Sequence, residues 1–524
     1  MALRSWSLRG RSSSASISGT AVTAVSVEVK TKRSAHPTRT LREPERASVS
    51  VLAGRTLGPY ARPGRAVNSL AGRPGRERAL QSEAVALQAR QEESASDLVR
   101  QPGRSLRADL LLVFAVAALV RLSILPWLGK LEMVGDEAYY WWDLQREDML
   151  VLKPPLWRWL VQAAKAACGD PLAARSLCAV VGTCTAPLIA LLAGRAFDRR
   201  VGLVAGLMFA FYPEFVAYSH YMWAETCFGF LAVLGTLLFF RFFENGKTSS
   251  LAIAALACGV AWLTKEFAVI LFAALLGTLL TRRLAGKAWK ATLACLLFAL
   301  PVAIYSLFAS LMVGRMILLN ETGVSSMRQA VGLDPPGIVI YKPEQREAQA
   351  RELITYLRER PLARAFSDVK SQFYNLWSPS SLVSKRLLGI TAVSATRSEK
   401  AEQWLYGLPR GWAVSLAILV TWSYVVVMVL GLTGLCSSGP STFRTFSIFS
   451  LLLLSSTALL LFLGSRYRMV FLFVPLLHSA HLATNAPALF HRLREPRRAL
   501  ALLALLALFA HVVVTKRYAI GFWG

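Results

Sequence analysis

None of the seven cysteines, Cys168, Cys178, Cys184, Cys227, Cys258, Cys295 and Cys436, forms a CxxC pair, and most lie inside apolar blocks. They read as small buried hydrophobes, which argues against a disulfide or zinc framework. Acidic residues are also scarce, 31 against 59 Lys+Arg, giving a formal net charge of +28. No basic helix is interleaved with aromatics for base stacking, so the excess does not point to nucleic acid. A secretory h-region is missing as well, which leaves the first membrane helix to act as the targeting signal. What the chain does have is apolar sequence. Hydrophobic residues make up 54% of it, in blocks of about 20 residues, the length that crosses a bilayer. The fold class expected is an all-α polytopic membrane protein.

Residues 1–107 hold 19 Lys+Arg and 8 Asp+Glu, are rich in Arg, Ser, Ala, Gly and Pro, and show no sustained periodicity. They read as a disordered basic N-terminal extension. The absence of any acid before Glu28 also fits a transit peptide, and a mis-assigned start would leave a segment of the same kind. "GRPGRER" at 72–78 belongs to this basic tract and is no phosphate loop, since no strand precedes it.

About eleven transmembrane helices are expected, near 108–128, 172–196, 201–219, 223–243, 249–264, 266–281, 290–313, 411–435, 445–464, 468–485 and 498–516. Short loops on one side carry the cations: Arg195, Arg199 and Arg200; Lys247; Arg282, Arg283, Lys287 and Lys290; Arg444; Arg492, Arg494, Arg497 and Arg498. The positive-inside rule makes that side cytoplasmic and places residues 1–107 there. Two long loops with juxtamembrane helices then face outward, 129–171 and 314–410. The chain thus divides into the N-terminal extension 1–107, a transmembrane catalytic half 108–313, the outer loop 314–410 and C-terminal transmembrane helices 411–524. Asn320-Glu321-Thr322 in the second loop has the form of a glycosylation sequon, a pattern that short sequences also produce by chance.

Charges at the span edges gather on the outer face. Asp136 and Glu137 stand in "EMVGDEAYYWWDL" (132–144), Glu225 opens the fourth span, Lys265 and Glu266 mark a break, and Arg466 and Arg468 flank Tyr467. Charges without a role would scatter over both faces, so an outward-facing polar cavity is the economical reading. Asp136-Glu137 is either a solvated loop pair or a general base beside a second carboxylate that orients substrate or binds a cation. Tyr139, Tyr140 and Trp141 fit an interfacial belt and equally a platform for sugar rings. Lys153 precedes two prolines and an amphipathic helix with Trp157 and Trp159, expected along the outer membrane surface. Lys153 and Arg466 as snorkelling cations, Lys265 paired with Glu266, Tyr467 as an interface anchor and His220 as a structural histidine are the bland alternatives.

An outer acidic pair, a Lys-Pro-Pro turn into "LWRWL", and then "AARSLCAVVGTCTAPLIALLAGRAF" together resemble the polyprenyl-phosphate-sugar-dependent membrane glycosyltransferases. That C-type group includes protein O-mannosyltransferases and lipid A aminoarabinose transferases. "HYMWAETCFGFL", "AWLTKEFAVIL", "YLRERPLARAFSDVKSQFYNLWSPSS" and "SRYRMVFLFVPLL" follow in the group's order, so the resemblance spans about 108–485. Glu225 stands where Asp is commoner, and Glu266 where a small residue is usual.

The resemblance implies transfer of a sugar, hexosyl or pentosyl, from a polyprenyl-phosphate donor to an acceptor hydroxyl on the outer face of an inner (cell) membrane. Attack would invert the anomeric centre. Asp136 is then the base, with Glu137 and Glu225 orienting the acceptor or holding a divalent cation such as Mg or Mn. Lys153, Lys265 and Arg466 would bind the donor phosphate, and Tyr139, Tyr140 and Trp141 would form the acceptor or sugar platform. The partners are the lipid-linked donor, the bilayer and an acceptor that is protein, lipid or glycan. A transporter or flippase of a lipid-linked sugar is the competing function, but it calls for charges near the midplane and for repeats in the two halves, and neither is evident. A ligase or polymerase of lipid-linked glycans would rely on Arg and His instead of a first-loop acid pair.

Overall fold

The chain divides into Met1–Glu77 and Arg78–Gly524. A computed structural model describes residues 104–128, 133, 136–142, 153–283, 288–317, 323–334, 343–379, 381, 383, 410–459, 461 and 465–516, all in the second unit. The basic extension up to residue 103, the "GRPGRER" tract and the Asn320 sequon lie outside the described residues.

The described residues are helical, with no strand among them. In chain order the elements are α1 (Arg104–Leu122), α2 (Leu125–Leu128), α3 (Asp136–Trp142), α4 (Pro155–Cys168), α5 (Pro171–Ala196), α6 (Arg199–Phe211), α7 (Pro213–Tyr218), α8 (Ala224–Asn245) and α9 (Thr248–Trp262). There follow α10 (Ala268–Arg283), α11 (Ala288–Val313), α12 (Gly323–Ala330), α13 (Pro343–Glu359), α14 (Leu362–Trp377), α15 (Arg410–Ser437) and α16 (Thr442–Ser456). Two 3-10 turns, Thr457–Leu459 and Ser465–Val470, precede α17 (Phe473–Arg492) and α18 (Pro496–Thr515).

Six of these stretches are long and apolar enough to cross a membrane: 171–196, 224–245, 288–313, 411–437, 442–459 and 496–515. Apolar side chains on α1, α11 and α18, such as Leu119, Ile304, Leu311 and Leu503, point outward and uncovered. Such a belt is tolerable only against lipid. The protein is therefore a polytopic, all-α membrane protein.

Other expected spans take different forms. Residues 201–219 are split at Tyr212-Pro213 into α6 and α7, because proline cannot donate to the preceding turn. The pair 249–264 and 266–281 becomes α9 and α10, of 15 and 16 residues, with a non-helical corner at Lys265. The tenth span, expected from 468, begins at Phe473, and Ser465–Val470 before it is a tight 3-10 turn. Within residues 314–410, Pro343–Glu359 forms α13 and Leu362–Trp377 forms α14.

Close packing comes from small residues. A Cβ on Gly434 would collide with the His478 carbonyl, and one on Gly259 with the Phe298 carbonyl, so α15 meets α17 and α9 meets α11 almost backbone to backbone. Around residues 153–172 the local rules are explicit. Pro155 sits in the first turn of α4, Gly169 ends that helix at φ 69°, and the Asp170 carboxylate then caps α5 by accepting from the Leu172 N–H at 2.8 Å. The Leu156 N–H donates to the Leu263 carbonyl at 2.8 Å, which ties the start of α4 to the corner that carries Lys265.

Candidate functional site

Helix α3 opens with the acidic pair, so both carboxylates stand at its N-terminal turn, where unpaired N–H groups favour negative charge. The helix is strapped to α4: Gln162 Nε2 donates to the Tyr140 carbonyl, and Lys165 Nζ donates to the Trp141 carbonyl at 2.7 Å.

The two carboxylates face different partners. Each oxygen of Asp136 has its own cation, with Lys153 Nζ 2.5 Å from Oδ1 and Arg466 Nη1 2.9 Å from Oδ2. Glu137 turns inward, where its Oε1 accepts from Arg175 Nε at 3.3 Å and from the Met222 N–H at 3.1 Å. Both members of that pair are almost fully buried. Glu137 thus joins α3, α5 and the segment before α8.

Glu225, in the first turn of α8, lies 2.9 Å from Lys265 Nζ through its Oε1. Arg466 and Lys265 share the Tyr467 ring: the guanidinium carbon lies 5.1 Å and Lys265 Nζ 5.6 Å from its centroid. Arg466 Nη2 also donates to the Tyr467 hydroxyl at 3.2 Å, and Phe267 stacks on the ring at 5.0 Å. Tyr467, read from the sequence as an interface anchor, is thus part of the cluster. Lys153 Nζ sits 4.6 Å over Tyr139 and 5.2 Å over Tyr140.

Three cations and two carboxylates, from loop 129–171, the start of α8, the corner before α10 and the 3-10 turn before α17, therefore form one connected cluster. Burial alone would raise the Asp136 pKa, but the charges of Lys153, Arg466 and Lys265 outweigh it and hold the carboxyl well below the usual carboxylate range. Burial pulls the Lys265 ammonium down, while Glu225 and Tyr467 more than offset that and leave it raised.

The structure places the three aromatics unevenly. Tyr140 and Trp141 are 3% exposed and pack with Trp157, Met222 and Cys227, whereas Tyr139 keeps open surface. His220 is held between two carbonyls, with Nδ1 2.7 Å from Val216 O and Nε2 2.8 Å from Arg121 O. Its surroundings are structural.

The two carboxylates considered for a divalent cation differ in their surroundings. Glu137 is engaged by Arg175 and a backbone N–H, whereas Glu225 has Lys265 against Oε1 and no hydrogen-bond partner at Oε2 among the described residues. Among the described residues no three His, Cys, Asp or Glu side chains converge.

Several buried charges escaped the sequence reading, among them Arg121, Arg175 and Glu214. Arg175 stands inside the quoted "AARSLC", and Glu214 follows Pro213 in an otherwise apolar stretch. A charge inside an apolar block is itself a signal, because it must find a partner there.

Comparisons with known proteins agree with part of this reading. Residues 152–308 match the model of the family described as dolichyl-phosphate-mannose-protein mannosyltransferase. The matched stretch contains Lys153, Arg175, Glu225 and Lys265. No curated protein matches the chain.

Among solved structures, the chain is similar to the Archaeoglobus fulgidus oligosaccharyltransferase complexed with Zn and sulfate, at 15% identity and a TM-score of 0.41, covering 76% of this chain and 51% of that one. The archaeal oligosaccharyltransferase AglB from Archaeoglobus fulgidus in complex with an inhibitory peptide and a dolichol-phosphate matches at 14% identity and 0.42, covering 80% and 56%. ArnT from Cupriavidus metallidurans bound to undecaprenyl phosphate matches at 14% and 0.34, covering 72% and 79%. The chain spans about half the length of the oligosaccharyltransferase chains it matches. Over residues 152–308 it is similar to the dolichyl-phosphate-mannose-protein mannosyltransferases, one of the enzyme groups within the wider set that its motifs resemble.

Proposed function

We propose that this protein is an integral-membrane glycosyltransferase that moves a sugar from a polyprenyl-phosphate donor to an acceptor hydroxyl on the outer face. The observation that carries the reading is the grouping of Lys153, Lys265 and Arg466 around Asp136 and Glu225 within a protein whose apolar helices are long enough to cross a membrane. A lipid anchored in the bilayer presents its phosphate at the membrane interface, and three cations grouped there would suit an anion. The family match over 152–308 supports the same donor class.

In the proposed reaction the acceptor hydroxyl oxygen attacks the anomeric carbon while the bond from that carbon to the phosphate oxygen breaks. The configuration inverts. The hydroxyl proton goes to Asp136, and the polyprenyl phosphate leaves with its negative charge held by Arg466, Lys153 and Lys265. Arg466 offers two N–H groups to phosphate oxygens, and the lysines act as point charges.

Asp136 is a poor base while both of its oxygens are engaged by cations. A donor phosphate competes for those same cations, and as they turn to it the carboxylate regains proton affinity beside the reacting carbon. Base and phosphate site are therefore coupled through Lys153 and Arg466. Glu225 holds Lys265 in place, and Glu137, committed to Arg175, fixes the helix that carries Asp136. Tyr139 offers a face to the sugar.

The outer location rests on the charge of the short loops, and residues 314–410 would lie on the same side as the site. The test uses the purified full-length protein with a radiolabelled polyprenyl-phosphate sugar. Transfer that is lost in Asp136→Asn supports the enzyme. Lipid translocation that survives that substitution, without sugar transfer in the wild type, sinks it.

A further inference from the structure

Arg468, two residues beyond Arg466, is used by none of the steps above, yet it is among the largest fully buried side chains. At about three residues per turn, positions 466 and 468 of the 3-10 helix Ser465–Val470 point to different sides. Arg466 reaches Asp136, while Arg468 reaches into the core.

Three successive carbonyls at the end of α14 converge on this side. Arg468 Nη1 donates to the Leu376 carbonyl at 3.3 Å and to the Ser378 carbonyl. The carbonyl between them, on Trp377, accepts from the Tyr424 hydroxyl of α15 at 3.1 Å. The Arg468 guanidinium carbon lies 3.7 Å from the centroid of the Tyr424 ring. Trp377 Nε1 donates to Ser455 Oγ of α16 at 3.2 Å.

The counter-charge is Glu214 of α7, with Oε2 3.9 Å from Arg468 Nη2 and both side chains 0% exposed. That separation is outside hydrogen-bond range, and neither carboxylate oxygen has a hydrogen-bond partner among the described residues. A buried arginine with one distant acid is costly as a stabilising element, since an apolar side chain of similar size would pack there without desolvation. What this arginine adds over an apolar side chain is hydrogen bonds that fasten the Leu376 and Ser378 carbonyls to the turn that presents Arg466.

We propose that Arg468 is a positioning residue for Arg466: with Glu214 and Tyr424 it clips residues 376–378 of the second outer loop to the 465–470 turn, so the seating of that loop sets where Arg466 stands against Asp136 and the donor phosphate. The inference rests on the reading of Arg466 as a phosphate ligand. It adds a coupling between the outer loop and the site.

The test uses the full-length protein in nanodiscs, with Glu214→Gln and Tyr424→Phe as mild variants and Arg468→Lys as the stronger one. Binding of polyprenyl phosphate is measured in wild-type and Arg466→Ala backgrounds, and hydrogen exchange is followed at 465–470 and 136–142. The expected result is a loss of about tenfold in binding that disappears once Arg466 is already alanine, because the two residues act through one path. Exchange should rise together at 465–470 and 136–142. Equal losses in both backgrounds, or unchanged binding with unchanged exchange, would overturn the proposal and leave Arg468 a structural anchor. If the wild type binds no polyprenyl phosphate, the phosphate reading falls. The exchange experiment then decides the clip alone: a joint rise supports it, and no rise at 136–142 refutes it.

Discussion

Asp136 and Arg466, 330 positions apart in the chain, meet at 2.9 Å, and Lys153 takes the other oxygen of the same carboxylate at 2.5 Å. The base and the anion-binding groups of the proposed reaction are thus bound to each other before any substrate arrives. This makes separable predictions for the two roles.

Asp136→Asn removes the base but leaves the cations. Sugar transfer should fall by roughly 10²–10⁴-fold, the range typical of a lost general base. Binding of polyprenyl phosphate should hold or tighten, because the internal competitor for Lys153 and Arg466 has lost its charge. Equilibrium binding measured beside the transfer rate checks this, and a parallel loss of both would contradict it.

Arg466→Lys keeps the charge and removes the fork. Donor binding should weaken by about tenfold, since an ammonium cannot offer two coplanar N–H groups to a phosphate. Lys153→Arg should be milder, because Lys153 is a point charge beside Tyr139 and Tyr140. Donor KM values for the two variants give the comparison.

The pH profile should report the same coupling. The Asp136 pKa in the folded protein is depressed, so its ion pairs stabilise the fold above the unfolded value of about 3.9 and lose that contribution as pH falls through the lower folded value. Wild-type stability should therefore show no step from Asp136 near pH 5. Lys153→Ala and Arg466→Ala each remove a lowering charge, so the stability that these variants lose as pH falls below about 3.9 should be smaller than the wild-type loss, which melting curves over that range check.

Glu225 and Lys265 form a nearly buried pair. Glu225→Gln or Lys265→Met alone leaves a charge without its partner and should cost roughly 3–5 kcal/mol, whereas the double variant should recover most of that loss. Chemical denaturation of all four proteins completes the cycle. Additive losses would mean the two residues are not coupled.

Cys168, exposed at the end of α4, is a natural probe of sidedness. In sealed cells it should react with a membrane-impermeant maleimide from outside, and Cys168→Ser should abolish that label. Labelling only after permeabilisation would place the cluster on the cytoplasmic face.

Much of the scaffold was legible because its rules are local. Apolar blocks of bilayer length give the spans, Pro155 and Gly169 bound α4, and a Lys265 corner is readable from charge inside an apolar run. The 3-10 turn at 465–470 was legible only in part: Arg466 and Arg468 mark the gap between two spans, but Met469 and Val470 run without a break signal into the apolar start of α17. Tyr140 and Trp141 suit both a platform and a core, and only their burial separates the two.

By itself the sequence determined that the chain is an α-helical membrane protein, where its charges cluster along the chain, and the resemblance to lipid-phosphate glycosyltransferases. Those are properties of composition and short spacing. The tertiary structure alone decided which charges meet: Asp136 with Lys153 and Arg466, Glu137 with Arg175, Glu225 with Lys265, and Glu214 with Arg468. Every carboxylate had several cations within plausible reach by topology. The partner is fixed by the register and rotation of packed helices, which depend on glycine contacts and aromatic stacking between segments far apart in the chain.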